Sequence, residues 1–160
     1  MRIGIDARLA HYRQHGGIAQ YTLRLARALA AIETPDRFVL FQHYREREPL
    51  VSAPSFETRA LITPCHHRLE QTTLPIELMP HRLDVLHSPD FIPPVRARCA
   101  KVITVHDLAF MLFPDLLTEE SARYYGQIQR AVSEADGIIA VSESTKSDML
   151  RLLKVDAARI

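Results

Sequence analysis

The amino-acid sequence predicts an α/β fold built on an open, mainly parallel sheet with helices on both faces. Short apolar runs alternate with segments of helical period along the whole chain, which is the pattern of consecutive βαβ units. The chain has 160 residues, 47% hydrophobic and 24% charged, which suits one compact domain. A domain of roughly 150 residues buries about 68–70% of the surface its unfolded chain exposes, so this one can stand on its own core.

The elements follow in order. Strands are expected at residues 2–6, 37–43, 56–62, 84–87, 100–105 and 137–141. A long first helix should start near Gly17 and run to about Ile32. Ile18, Tyr21, Leu25, Ala28, Leu29 and Ile32 recur there at three- and four-residue spacing, Arg24 and Arg27 turn outward, and Pro35 closes the segment. A second helix covers part of 69–83, with Pro75 and Pro80 interrupting its pattern. Thr118 is a candidate N-cap for a helix reaching about Ala135, with Tyr124, Tyr125, Ile128, Ala131 and Val132 on its apolar stripe. Ser142 caps a last helix that places Met149, Leu150 and Leu153 on one face.

Composition removes several classes of function. The formal net charge is +1, and the basic residues, nearly all arginine, are interspersed with acidic ones, so no basic stripe points to nucleic acid. Cys65 and Cys99 stand far apart and read as ordinary reduced thiols rather than a disulfide framework. The first residues lack a signal-peptide pattern and no apolar run approaches a membrane span, so the cytoplasm is the expected location. Nothing matches G-x-G-x-x-G, the phosphate-binding P-loop or a Gly-x-Ser-x-Gly elbow. Cys65, His66 and His67 are adjacent, and adjacent residues cannot easily face one ion, so they read as a solvated loop and not a metal site.

In an open parallel sheet, ligands bind beyond the carboxyl ends of the strands. Gly16 and Gly17 stand just ahead of the first helix, where backbone N–H groups and the helix dipole favour a phosphate; a tight turn explains two glycines equally well. His87 and His106 each end a strand at this rim, followed by Ser88, Pro89 and Asp90 and by Asp107. Either imidazole alone is accounted for by a structural hydrogen bond; as a pair beside a crevice they favour function.

With these residues placed, the chain resembles the amino-terminal domain of the family-4 glycosyltransferases. Arg2-Ile3-Gly4-Ile5-Asp6-Ala7-Arg8 followed by Gly16-Gly17-Ile18, Tyr21, Leu25 and Leu29 is similar to that family's first strand, glycine loop and first helix. Asp84-Val85-Leu86-His87-Ser88-Pro89 resembles its fourth-strand motif, and Thr104-Val105-His106-Asp107-Leu108 with Pro114 its fifth. Residues 135–146 resemble its A-D-x-I-I-x-V-S-E-x-[ST]-[KR] segment, whereas 45–82 carry little of the likeness.

The resemblance implies a Rossmann-like domain forming one half of a GT-B fold. This half, residues 1–160, would supply the acceptor side, with the donor-nucleotide domain outside the chain. It implies retaining transfer from a nucleotide-diphospho-sugar, a GDP- or UDP-sugar, to a glycan or lipid-linked acceptor, with no cofactor and no required divalent metal. Gly16 and Gly17 would lie beside the donor diphosphate. His106 would touch the transferred sugar and Asp107 would help shape the catalytic site. His87, Ser88 and Asp90 would approach the acceptor. The family's phosphate-facing arginine and lysine, and its E-x7-E motif, belong to the other domain, so negligible activity is expected of this chain alone. An exposed interdomain face would allow homodimers, and the full protein would sit in the cytoplasm, peripheral to the inner membrane. Two other readings are a self-contained Rossmann-like binding module and half of a GT-B epimerase or hydrolase.

Overall fold

The computed structural model describes residues 1–12, 16–67 and 69–160. Its strands are β1 (Arg2–Asp6), β2 (Arg37–His43), β3 (Phe56–Leu61), β4 (Val85–Ser88), β5 (Ala100–Val105) and β6 (Gly137–Ala140). They form a six-stranded sheet in the order β3-β2-β1-β4-β5-β6, and every neighbouring pair is parallel. The chain is thus the Rossmann-like α/β domain that the alternation of runs predicts. The order reverses between β1 and β4, so their connections leave in opposite directions and a crevice opens at their carboxyl ends.

The helices divide between the two faces. Helix α2 (Gly17–Ala30) covers one face, where its Ala26 meets Ile5, Phe38 and Leu40. Helix α3 (Glu70–Leu78) covers the other, packing Leu74 and Leu78 on Val39, Phe41 and Leu86. On this second face Ser88 lies in register with Ile103, and Ile103 belongs to the cluster built around Ile128 and Val132 of α6 (Ile128–Glu134). Between β2 and β3 a loop takes the place of a helix. Buried Gln42 organises it, donating from Nε2 to the carbonyls of Glu46 and Glu48 and accepting from the Leu50 N–H.

Several elements differ from expectation for local reasons. The buried stripe of α2 is Ala19, Thr22 and Ala26, whereas Ala28 is exposed. Small side chains let the helix lie close to the sheet, and the larger residues fall to its flanks. The helix stops at Ala30, leaving Ile32 exposed. Helix α3 runs through Pro75, and a 3-10 turn over Met79–His81 takes in Pro80. The single helix expected from Thr118 to Ala135 is two: α5 (Glu119–Tyr125), then a turn at Gly126 and Gln127, then α6. Helix α7 (Glu143–Leu152) buries Met149, but Leu150 faces outward. Two short helices, α1 (Leu9–Tyr12) and α4 (Ala109–Leu112), were not expected at all.

Polar residues of the recognisable motifs pin the lower ends of the strands. The Asp84 carboxylate accepts from the Arg2 N–H and that of Asp136 from the Lys101 N–H, with the reciprocal backbone bonds closing both pairs. Gly4 lies where β1, Leu83, Phe41 and Leu86 meet: a Cβ there would come within 2.7 Å of Leu83 Cδ1 and 2.8 Å of Phe41 Cε2. Only glycine fits that approach without displacing the core.

Candidate active site

Two polar groups meet at the crevice, one on each face of the sheet. On the α2 face, His87 and Thr104 project from β4 and β5, and buried His87 Nε2 lies 2.8 Å from Thr104 Oγ1. Tyr21 of α2 reaches the same hydroxyl at 3.2 Å. Burial pushes the His87 ring down to about 4; Asp6 opposes this and His106 adds to it, so His87 is neutral at pH 7.

His106 follows β5 directly. Its Nε2 is 2.8 Å from the Pro89 carbonyl, which only accepts, so Nε2 carries the proton. Its ring meets Tyr21 edge-on, with centroids 5.0 Å apart. The His106 carbonyl accepts from Thr145 Oγ1 at the start of α7, so the backbone is held from that side too. In the neutral ring Nδ1 is then an acceptor, and among the described residues it has no hydrogen-bond partner. Asp107 is exposed, and its Oδ1 accepts from the Ala109 N–H, turning the carboxylate toward the backbone of α4.

Gly16 is the N-cap of α2, in an extended conformation at φ −78 and ψ 151. No glycine among the described residues has a positive φ, so this bend does not depend on glycine's conformational freedom. What Gly17 provides is space: a Cβ there would meet nothing within 4 Å. Tyr21 stands one turn further along α2, and through its ring the glycine end of the helix and His106 share one rim.

The second polar group lies on the α3 face. Arg8, 1% exposed, donates to both oxygens of Asp6, to Glu70 Oε1 at 2.6 Å and to the Thr63 carbonyl at 2.7 Å. Burial opposes the guanidinium's charge, but Asp6 first and then Cys65 and Glu70 outweigh it and hold its pKa up. Burial raises the Glu70 carboxyl above the usual carboxylate range; Arg8 opposes this and Asp6 adds to it. Beside them Tyr124 of α5 donates to Asp90 Oδ2 at 2.5 Å, and His66 Nε2 lies 3.1 Å from that oxygen and 2.8 Å from the Tyr124 hydroxyl. Burial would raise the Asp90 carboxyl, but hydrogen bonds from His66, Tyr124 and the Phe91 N–H more than offset it and hold it low. Ser88, buried, lines the recess beside this second group.

All the rim residues singled out from sequence thus fall at the carboxyl ends of the strands. His106, Gly16 and Gly17 lie on the α2 side, Ser88 and Asp90 toward α3, and His87 is turned inward under Thr104. Cys65, His66 and His67 lie at a turn with both histidines exposed, as a solvated loop requires, yet the turn is tied to the site. His66 is bonded to Asp90 and Tyr124 from a left-handed backbone at φ 60, and burial pushes the Cys65 thiol up. Sequence reading singled out neither Glu70 nor Tyr124 as a site residue, and Tyr124 was read only as part of an apolar helix stripe, since each sits on a helix whose spacing signals only helix.

No curated protein gives a significant match to the chain. Residues 15–160 do match the family model described as Glycosyltransferase Family 4, and they carry strands β2 to β6, the glycine-led helix and the histidine-tipped fifth strand. The chain therefore belongs to glycosyltransferase family 4, as an amino-terminal domain of that family.

Proposed function

We propose that this domain forms the acceptor side of a retaining glycosyltransferase that moves a hexosyl unit from a GDP- or UDP-sugar to a glycan or lipid-linked acceptor. In this reading Gly16 and Gly17 lie beside the donor diphosphate and His106 beside the transferred sugar. Asp107 sets the turn that follows His106. Ser88 and Asp90 face the acceptor, and His87 holds Thr104 in place beneath them. The protein would work in the cytoplasm at the inner membrane surface; no helix among the described residues is long and apolar enough to cross a membrane.

The observation that carries the reading is the state of His106. Pro89 and Tyr21 fix its ring, Nε2 is committed, and Nδ1 remains an acceptor for a sugar hydroxyl next to the open start of α2. The first N–H groups of a helix lack intrahelical partners and carry the positive end of its dipole, so those of α2 suit an anionic leaving group. In the step itself, the acceptor oxygen bonds to the anomeric carbon as the bond from that carbon to the diphosphate oxygen breaks. The acceptor proton passes to the departing phosphate on the same face. A donor-binding domain facing this rim would supply the cations that stabilise the phosphate.

The test is a transfer assay on a longer chain that includes a donor-binding domain. His106→Ala should lower kcat by about 10²–10³, the scale of losing one positioned donor or acceptor at a reacting centre. Unchanged turnover would remove His106 from the mechanism. Release of free sugar in place of transfer would instead favour the hydrolase reading.

A further inference from the structure

We infer that the recess on the α3 side of the crevice is an acceptor subsite that takes a hydroxyl of an uncharged sugar unit and turns away acceptors bearing phosphate at that position. The inference rests on the proposed transferase reading, since it assigns the recess to the acceptor of that reaction.

Asp6, Arg8, Glu70, Ser88, Asp90 and Tyr124 line the recess, and its floor admits a group about the size of a water or a hydroxyl. Among the described residues that line the recess, three carboxylates face one guanidinium, an excess of negative formal charge. A phosphate brought there meets repulsion. The Arg8 guanidinium offers little to offset this, because four of its five N–H donors are already engaged by Asp6, Glu70 and the Thr63 carbonyl.

The observation that points to a ligand is Ser88. Its residue is 3% exposed, it lines the recess, and its Oγ has no hydrogen-bond partner among the described residues. A buried hydroxyl left so costs about 1–3 kcal/mol, whereas the surrounding polar side chains are bonded two and three times over. The carboxylate oxygens retain lone pairs that accept, and Ser88 Oγ can both donate and accept. A ligand hydroxyl fits this combination by donating to a carboxylate while accepting from Ser88. An ammonium can only donate, and a phosphate dianion can only accept. Ser88 also adjoins Pro89, whose carbonyl holds His106, so a sugar anchored by one hydroxyl at Ser88 presents another toward the reacting centre.

The experiment is amide-resolved NMR titration of this chain with three probes: methyl α-glucoside, glucosamine and glucose 6-phosphate. The neutral glycoside should shift the amides of Asp6, Ser88 and Asp90, glucose 6-phosphate should do so at least tenfold more weakly, and glucosamine should show no advantage. Ser88→Ala, which removes the hydroxyl, should weaken glycoside binding about tenfold, whereas Leu150→Ala, an exposed residue of α7 outside the recess lining, should leave it unchanged. Preferential binding of glucosamine or glucose 6-phosphate, shifts confined to the start of α2, or no shift at 100 mM glycoside would each overturn the inference. Glycoside binding at the recess in a protein whose His106→Ala variant transfers normally would leave the subsite standing and remove the catalytic reading. The converse pair of results would do the reverse.

Discussion

His87 and His106 end neighbouring strands on the same face, yet they have opposite chemical fates. His87 lies under Thr104 and its ordinary pKa of 6.5 is pushed down to about 4, chiefly by burial. His106 stands at the rim with one nitrogen committed to Pro89. The inward histidine has a consequence for stability. On acidification the unfolded chain takes up this proton near pH 6.5, while the folded chain resists until about pH 4. The contribution of His87 is therefore complete above 6.5 and falls as pH drops toward 4, by up to about 3 kcal/mol. His81, also lowered by burial, titrates in the same direction, so the comparison that isolates His87 is between the native chain and His87→Gln. Urea midpoints should converge between pH 6.5 and 4 as the native chain loses its advantage; parallel curves across that range would show that the ring is not held neutral.

At the scale of the element, α2 joins structure to the proposed chemistry. Its buried side is made of Ala19, Thr22 and Ala26, so the helix lies close to the sheet and brings Tyr21 against both Thr104 and His106. Hydrophobic periodicity located the helix and its partly buried flank, where Leu29 packs on the core, but missed the most buried stripe, because close contact with a sheet selects small residues that a hydropathy pattern undervalues. The break at Gly126 was hidden for a related reason: a single glycine inside a helical pattern does not by itself end a helix. The cap residues Thr118 and Ser142 were legible because capping is local, and each accepts from the N–H three residues on. Gly17 separates a structural from a functional explanation. Since a Cβ there meets nothing, Gly17→Ala should leave the fold intact and raise stability by up to about 1 kcal/mol. In a chain with its donor-binding domain, Gly17→Leu should melt normally but raise the donor KM at least tenfold, because the side chain would fill the space over the start of α2. An unchanged KM would reduce this glycine to a helix start.

Across the whole molecule, the parallel sheet and its carboxyl-end rim follow from the alternation of runs, and so the position of His106 at that rim with the glycine-led helix could be reasoned from sequence. The α3-side recess could not. It joins residues from positions 6–8, 66–70, 88–90 and 124, and only the docking of α3 and α5 on one face brings them together. The same rim carries apolar side chains that the fold leaves uncovered: Met111, Leu112 and Phe113 beyond β5, and Ile139 and Val141 around the end of β6, at 37–58% exposure. Exposed apolar surface drives association when nothing covers it. Sedimentation velocity of this chain should therefore show a weak, concentration-dependent dimer through the rim. Phe113→Asp, which alters a side chain 58% exposed and outside the buried clusters, should return it to monomer without changing its melting temperature. A single monomeric species across micromolar to millimolar concentration would mean that these side chains fold over one another rather than offer a surface. A dimer that persists in Phe113→Asp would place the contact elsewhere on the sheet.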